Sequence, residues 1–218
     1  MRFRPNGAVW GSVVAERPFI SGGAREARRD DKRHRILDAA VVEIARSGYF
    51  GTTVARIARR AGVADGTIYL YFENKDAILT AVLDRAMDRF IRQGAEAIPA
   101  AGTAPERLAA VVRQHLELVG RDHDLAVVLQ VELRHSLQFM GLYSRTRLRE
   151  YLGILAEVVG HGQRAGAFRA DADPMDTAKL IFGVLDQTVT DWILADDNSR
   201  LASRAEPVLA FILAALRP

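Results

Sequence analysis

Apolar residues return every three to four positions along most of this chain, and no stretch of strict apolar–polar alternation interrupts them. The first clear helical stripe opens at Asp31 and runs through Ile36, Leu37, Ala40, Val41, Ile44 and Ala45. Arg46, Ser47 and Gly48 end it, with Gly48 suited to a left-handed cap. Tyr49 and Phe50 are expected to wedge against the core. Thr52 or Thr53 caps the next helix, whose inner face is Val54, Ile57, Ala58 and Ala61. Gly62 permits a turn and Val63 plugs it. Asp65 stands where a cap belongs for a short helix over Gly66 to Phe72. Asn74 caps a long helix from Lys75 to about Ile98, with Ile78, Leu79, Val82, Leu83, Ala86, Met87, Phe90 and Ile91 on one face.

A linker-like break, PAAGTAP, follows at 99 to 105. Leu108, Val111, Val112, His115, Leu116 and Val119 then resume the period. Further helical segments are expected at 125 to 140, 142 to 165, about 175 to 195 and about 200 to 216. The pattern predicts an all-α chain of about nine helices, with a three-helix amino-terminal unit and a larger helical domain behind it. Residues 1 to 28 carry scattered glycines and prolines without a period, and read as a flexible extension. The amino-terminal domain covers 29 to 75 and continues into the linking helix 75 to 98. Residues 99 to 218 form the second domain.

Charge sharpens this division. The chain has 218 residues and a net charge of +3. Residues 1 to 75 hold 14 Lys/Arg and 8 Asp/Glu, a net of +6, so the remainder carries −3. A basic head on a mildly acidic body suits nucleic-acid binding at one end and a different task at the other. The run 25 to 35, REARRDDKRHR, is basic enough to touch a phosphate backbone, or to be a plain solvated arm. The absence of cysteine excludes disulfides and thiolate metal sites. No apolar run approaches the ~20 residues that span a bilayer, and no signal-like apolar segment follows Arg2 and Arg4, so a cytoplasmic protein without membrane association is expected.

Two short helices joined by a tight turn, the second rich in small, hydroxyl and aromatic residues, suit a recognition helix in the DNA major groove. The run from Ile36 to Leu79 resembles the amino-terminal domain of the TetR family of repressors. The likeness is carried by ILDAA at the first stripe, GYFGTT from Gly48, Ile57-Ala58, Ala61-Gly62-Val63, GTIYLYF from Gly66 and Asn74-Lys75. Thr52 and Thr53 lie at a helix amino terminus, where hydroxyls and free N–H groups favour phosphate. Thr67, Tyr69 and Tyr71 project from the recognition helix, and Leu70 is placed to meet a thymine methyl. Asp65 and Gly66 let the helix end approach the bases, and Ile68 and Phe72 belong to the core. The resemblance implies that Tyr69 and Lys75 hold phosphate and that Tyr71 meets DNA. Gly66 to Phe72 contains no Arg, Lys, Asn or Gln, so base reading falls to van der Waals contact, to Arg56 or Arg59, and to DNA shape.

The resemblance also implies a homodimer on a pseudo-palindromic double-stranded DNA operator, releasing DNA when a small molecule binds the carboxy-terminal helices. Val128 to Ser136, the arginines at 145, 147 and 149, GQRAGAFRADADP, and Ile181 to Trp192 resemble the fatty-acid-degradation repressors of the TetR family, which respond to long-chain acyl-CoA. That effector needs a long apolar tunnel and a cationic mouth. Leu129, Leu133, Phe139, Met140, Phe182, Leu185 and Val189 are the candidate lining, with Gln130, Tyr143 and Asp186 beside them. Arg134 and the arginines at 145 to 149, Arg147 among them, are candidates for the phosphates. Ordinary core packing, and an Arg134 pair with Glu132 or Asp186, are the competing structural roles. Ile181, Thr188, Trp192, Leu209, Ile212 and Leu213 offer more apolar surface than one small domain needs, and are expected to pack against a second subunit.

Other classes fit less well. The five histidines show no metal or triad spacing, and no glycine-rich phosphate loop or HExxH is present, so no catalytic residue, metal site or cofactor is assigned. His115 on its apolar stripe reads as a core histidine. A purely architectural DNA-binding protein is one alternative. A TetR-type regulator of efflux or of steroid or other lipid metabolism, sensing a different hydrophobic ligand, is another.

Overall fold

The computed structural model describes residues 22–100, 102–132, 147–195 and 199–218. The described chain is all α, in two cores joined end to end. α1 (Gly22–Gly51) packs on α2 (Val54–Ala61) and the first half of α4 (Lys75–Ala100), and α3 (Asp65–Ile68) packs on α2. Ile36, Leu37, Ala40, Val41 and Ile44 bury the expected stripe of α1 against Ile57, Ile68, Phe72, Ile78, Leu79 and Val82 to make the head core.

The body contains α5 (Ala104–Gly120), α6 (His123–Val127) running into a π-helical turn (Val128–Glu132), α7 (Arg147–Arg164), α8 (Pro174–Leu194), a 3₁₀ turn (Leu201–Arg204) and α9 (Ala205–Ala215). Its core gathers Phe90, Leu108, Val112, Leu116, Leu155, Val159, Leu185, Val189 and Leu209. The helix starts are fixed by short polar side chains. Thr103 and Glu106 form a reciprocal capping box on α5, and the Asp173 carboxylate accepts from Met175 N and Asp176 N at the start of α8.

α4 serves both cores: Ile78 to Leu83 fill the head, while Ala86, Met87 and Phe90 fill the body. α6 also serves both. Val128 is fully buried in the head core, and Leu125 and Leu129 pack against both clusters. Among the described residues, no helix is long and apolar enough to cross a membrane.

Several boundaries differ from the sequence pattern. α1 is already helical at Gly22, so 22 to 28 are helix; the remainder of the expected extension, 1 to 21, lies outside the described residues. Residues 26 to 35 are all exposed, and a helix that buries no face leaves no apolar period to read. The break before α5 is also narrower than PAAGTAP suggests, because α4 stays helical through Ala100. Phe50 does not wedge inward with Tyr49. Gly48, at φ 69° and ψ 162°, breaks the helix; Tyr49 is buried and Phe50 is left 78% exposed.

Candidate functional site

The head presents a helix-turn-helix whose turn is built from local hydrogen bonds. The Thr53 hydroxyl caps α2 by accepting from Arg56 N at 3.3 Å. Gly62, at φ 66° and ψ 39°, takes the left-handed cap, and Val63 N donates back to Ala58 O at 3.0 Å. α3 is shorter than the expected Gly66–Phe72: after Ile68 the chain continues as turns, with Tyr71 N and Phe72 N both donating to Ile68 O at 2.9 Å. Glycine, a β-branched pair and tyrosine are weak helix formers, so burial of Ile68 and Phe72 holds this segment. Asp65 is not the cap. Ala64 takes that position without a side-chain bond, and Asp65 sits in the first turn, where its charge opposes the helix dipole.

The outward surface contains Thr53, Asp65, Gly66, Tyr69 and Leu70, with Tyr69 59% and Leu70 73% exposed. Thr67 is half-buried beside them. Tyr71 turns partly inward against the head core. Thr52 is not on this surface. It is buried, and its hydroxyl lies 2.9 Å from both Glu43 O and Gly48 O, so it staples the end of α1.

Lys75 is half-committed. Its ammonium donates to Tyr49 O at 2.7 Å and Thr52 O at 2.9 Å and lies 4.2 Å above the centre of the Tyr49 ring, and burial pulls its pKa down. An ammonium has three donors, so one N–H remains. Tyr49 in turn donates its hydroxyl to the Asp76 carboxylate.

Arg56 is exposed but tied to α1. It donates to Ser47 Oγ at 2.9 Å and pairs with Glu43 Oε2 at 2.9 Å. Arg60 Nε donates to Glu43 Oε1 at 2.6 Å. The Arg60 hydrogen bond holds the Glu43 carboxyl below its ordinary range even though burial opposes this. Among the described residues Arg59 makes no ion pair, so it is the arginine of α2 free to turn outward. Glu43 was missed in the sequence because a lone carboxylate on an apolar stripe carries no motif.

A second site lies where head meets body. A groove of about 490 Å³ runs between α1, α4 and the start of α6, lined by Arg33, His34, Asp38, Asp84, Arg85, Asp88, Arg89, Arg92 and Asp122. Its acids are largely answered within the chain: Arg85 pairs with Asp38 at 2.7 Å, Arg147 pairs with Asp88 at 3.0 Å, and Asp122 caps α6 by accepting from Leu125 N. Arg33, Arg89 and Arg92 hold no ion pair among the described residues. The lining sets four arginines against four aspartates, and Arg89 and Arg92 are the guanidinium groups on its α4 wall that an anion from outside could meet. Arg85, Arg89 and Arg92 stand at helical spacing on α4, along one edge of its apolar face. That i, i+4, i+7 spacing is readable in the sequence.

The groove abuts a narrow, mostly apolar slot lined by Ala86, Arg89, Phe90, Leu118, Val119, Leu125, Ala126 and Leu129, and Arg89 lines both. Leu129 thus takes an expected place. Gln130 is half-buried, its amide oxygen 3.4 Å from Thr190 Oγ1. Phe182 is half-buried and makes ring contacts with His115 and Tyr151, and Asp186 acts on His115 through its charge. Leu133, Arg134, Phe139, Met140 and Tyr143 lie outside the described residues. Leu185 and Val189 are sealed with no exposed surface, as core residues of the α8 face that packs on α7 and α5. Arg147 braces Asp88 and Glu150 at the edge of the groove.

The expected subunit contacts also need revising. Ile181, Trp192, Leu209 and Ile212 are buried in this chain's own core, so they are unavailable to a partner. Thr188 is half-buried and donates to Val184 O at 2.7 Å, and Leu213 packs partly on the same core. Among the described residues of the body, the large apolar side chains left in solvent are Leu180 at 73%, Leu194 at 74% and Phe211 at 64% exposed.

Comparison with known proteins adds an independent line. The family model for bacterial regulatory proteins of the tetR family matches residues 36–82, and that for the C-terminal region of YsiA-like protein matches 83–215. The fatty acid metabolism regulator protein of Bacillus subtilis is 39% identical over 185 residues, covering 85% of this chain and 95% of that one. The crystal structure of the transcriptional regulator FadR from Bacillus subtilis in complex with stearoyl-CoA is 38% identical, with a TM-score of 0.79 over 84% of this chain and 99% of that chain. The structure of the fatty acid degradation regulator FadR from Bacillus halodurans is also 38% identical, with a TM-score of 0.81 over 85% of this chain and 96% of that chain.

Proposed function

Because the chain belongs to the TetR family of bacterial regulators, we propose that it is a transcriptional repressor of fatty-acid metabolism genes, released from its operator by long-chain fatty acyl-CoA. The observation that carries the effector is the junction groove: Arg89 and Arg92, without an ion pair among the described residues, and Arg33, whose guanidinium lies 5.5 Å over the Phe72 ring, stand beside an apolar slot. A CoA thioester has the same division, with phosphates at one end and an acyl chain at the other. Planar guanidinium forks suit its phosphates, and the slot directs the chain toward the body core. A purely hydrophobic effector would leave Arg89 and Arg92 without an anionic partner among the described residues.

On the DNA side, Tyr69, Leu70, Thr67 and Gly66 enter the major groove. Thr53 at the start of α2, together with the third donor of Lys75, holds phosphate. Two heads separated by a two-fold axis read a pseudo-palindrome. The dimer forms through the apolar residues that α8 and α9 leave in solvent, Leu180, Leu194 and Phe211. The effector acts by occupying the junction. α1 lines one wall of the groove and α6 the end of another, and Leu125 and Leu129 touch both cores, so a ligand there shifts the head relative to the body.

The test is a titration of the protein on its own upstream DNA with palmitoyl-CoA, palmitate and CoA in turn. Release by palmitoyl-CoA alone is expected. Indifference to all three overturns the effector and leaves the DNA-binding role standing.

A further inference from the structure

Phe50 is the most exposed large apolar side chain among the described residues, and the backbone is bent to put it there. Gly48, at φ 69° and ψ 162°, takes a conformation open to glycine and closed to residues with a Cβ. The bend leaves Tyr49 in the head core and Phe50 outside it. A single exposed aromatic ring needs no explanation by itself. This one is held in place. Its ring meets Tyr49 edge-on, with 5.4 Å between centres and 75° between planes. Tyr49 is fixed in turn by its hydroxyl on the Asp76 carboxylate and by the Lys75 ammonium over its face. A freely turning side chain must be ordered when it binds something, and Phe50 has already given up part of that freedom.

Its neighbours are groups suited to phosphate. Lys75 donates to Tyr49 O at 2.7 Å and Thr52 O at 2.9 Å, and so grips the segment that carries Phe50 on both sides of it. Arg56 Nη1 donates to Gly51 O at 3.4 Å, and Thr53 caps α2 three residues beyond the ring. A lysine, an arginine and a capped helix start therefore flank one apolar ring. Between successive phosphates a DNA strand presents the C–H faces of its deoxyriboses. Those faces are the apolar surface that comes within reach of a ring standing beside phosphate donors.

We propose that Phe50 is a DNA-contacting residue outside the recognition helix, its ring packed on a deoxyribose next to the phosphate held by Lys75 and Thr53. This rests on the DNA-binding reading and adds an uncharged contact to it. Gly66 to Phe72 holds no Arg, Lys, Asn or Gln, and Arg56 is engaged with Glu43 and Ser47, so the head has few polar groups to spend on bases. An aromatic face laid on sugar gains affinity by burying apolar surface and releases no counterion, so its share does not fade as salt rises.

The test measures binding of the full-length protein to a duplex of single-operator length, selected by the protein from a random-sequence pool, by fluorescence anisotropy across a range of salt. Phe50→Ala is expected to weaken binding about tenfold, by the same factor at every salt concentration. The slope of log affinity against log salt should stay that of the parent. Phe50→Tyr keeps the ring and should bind as the parent does. Because the side chain is 78% exposed, both variants should melt with the parent. Unchanged affinity in Phe50→Ala overturns the assignment and leaves DNA binding standing. So does a loss with a shallower salt slope, which marks a displaced phosphate contact, or an equal loss in Phe50→Tyr. A lowered melting temperature in Phe50→Ala makes the ring part of the head core and overturns it too. A loss seen only on DNA carrying two adjacent operators gives the ring to a neighbouring copy of the protein instead. A parent that binds no duplex overturns the DNA-binding reading and this assignment with it.

Discussion

A carboxylate at position 43 ties two arginines of α2 to α1, and its position explains why the head surface is less charged than its sequence. Replacing Glu43 with Gln removes the charge but keeps the shape, and should cost about 1–3 kcal/mol at pH 7, because Arg56 and Arg60 lose their partner. The sign of the pH dependence follows from the lowered carboxyl pKa. The contribution is complete above the ordinary value of 4.5 and is lost as pH falls through the lower folded value. Urea midpoints measured from pH 7 down to pH 3 should therefore converge for the parent and Glu43→Gln at the acid end. A constant gap would show that the carboxylate does not titrate with folding. Tyr69 makes the complementary case on the outer surface, at 59% exposure. Tyr69→Ala should weaken binding to related operators by a similar factor, as loss of a phosphate contact does. Loss confined to one base position, seen by electrophoretic mobility shift, would make it a base reader instead.

At the scale of elements, α3 is four residues long and is held by its neighbours rather than by its own hydrogen bonds. A methyl group placed on Gly66 would meet nothing within 4 Å. Gly66→Ala should then raise stability by about 0.5–1 kcal/mol, while weakening operator binding by crowding the approach to the bases. Thermal melting and DNA affinity should move in opposite directions; an unchanged affinity would place Gly66 off the interface. Most elements were legible in the sequence because their apolar stripes are buried: Ile36 to Ile44 on α1 and Leu108 to Val119 on α5 fall where the period puts them. The start of α1 was not legible, since residues 26 to 35 bury nothing. Nor was the side of Gly48 on which Phe50 would emerge, because a positive φ redirects the chain in a way that periodicity does not encode. Within the DNA surface, Tyr69 and Leu70 were legible as outward residues. Thr52 and Thr53 were not separable, because two adjacent hydroxyls look alike until one is buried.

At the scale of the whole molecule, the pattern of α8 and α9 revealed an excess of apolar surface but not its owner. Ile181, Trp192, Leu209 and Ile212 went to the chain's own core, and Leu180, Leu194 and Phe211 were left outside. An apolar period records that a face is buried, and is silent on whether the partner is the same chain or a copy of it. Phe211→Glu, alone or with Leu180→Glu, should shift the protein from dimer to monomer in sedimentation velocity and cut operator affinity at least tenfold, because one head alone loses the second half-site. A dimer that survives both changes would place the subunit contact elsewhere.

Val128 belongs to the second half of the sequence but is fully buried in the first core, with Leu125 and Leu129 astride the boundary. The head is therefore not a portable cassette. Grafted onto the body of a distant relative, it would inherit either a void at Val128 or a clash there. An excised fragment ending at Ala100 would lack the side chain altogether. Exchange of heads between such regulators should succeed only when α6 and the π-turn that follows it travel with them, although they lie about fifty residues beyond Lys75.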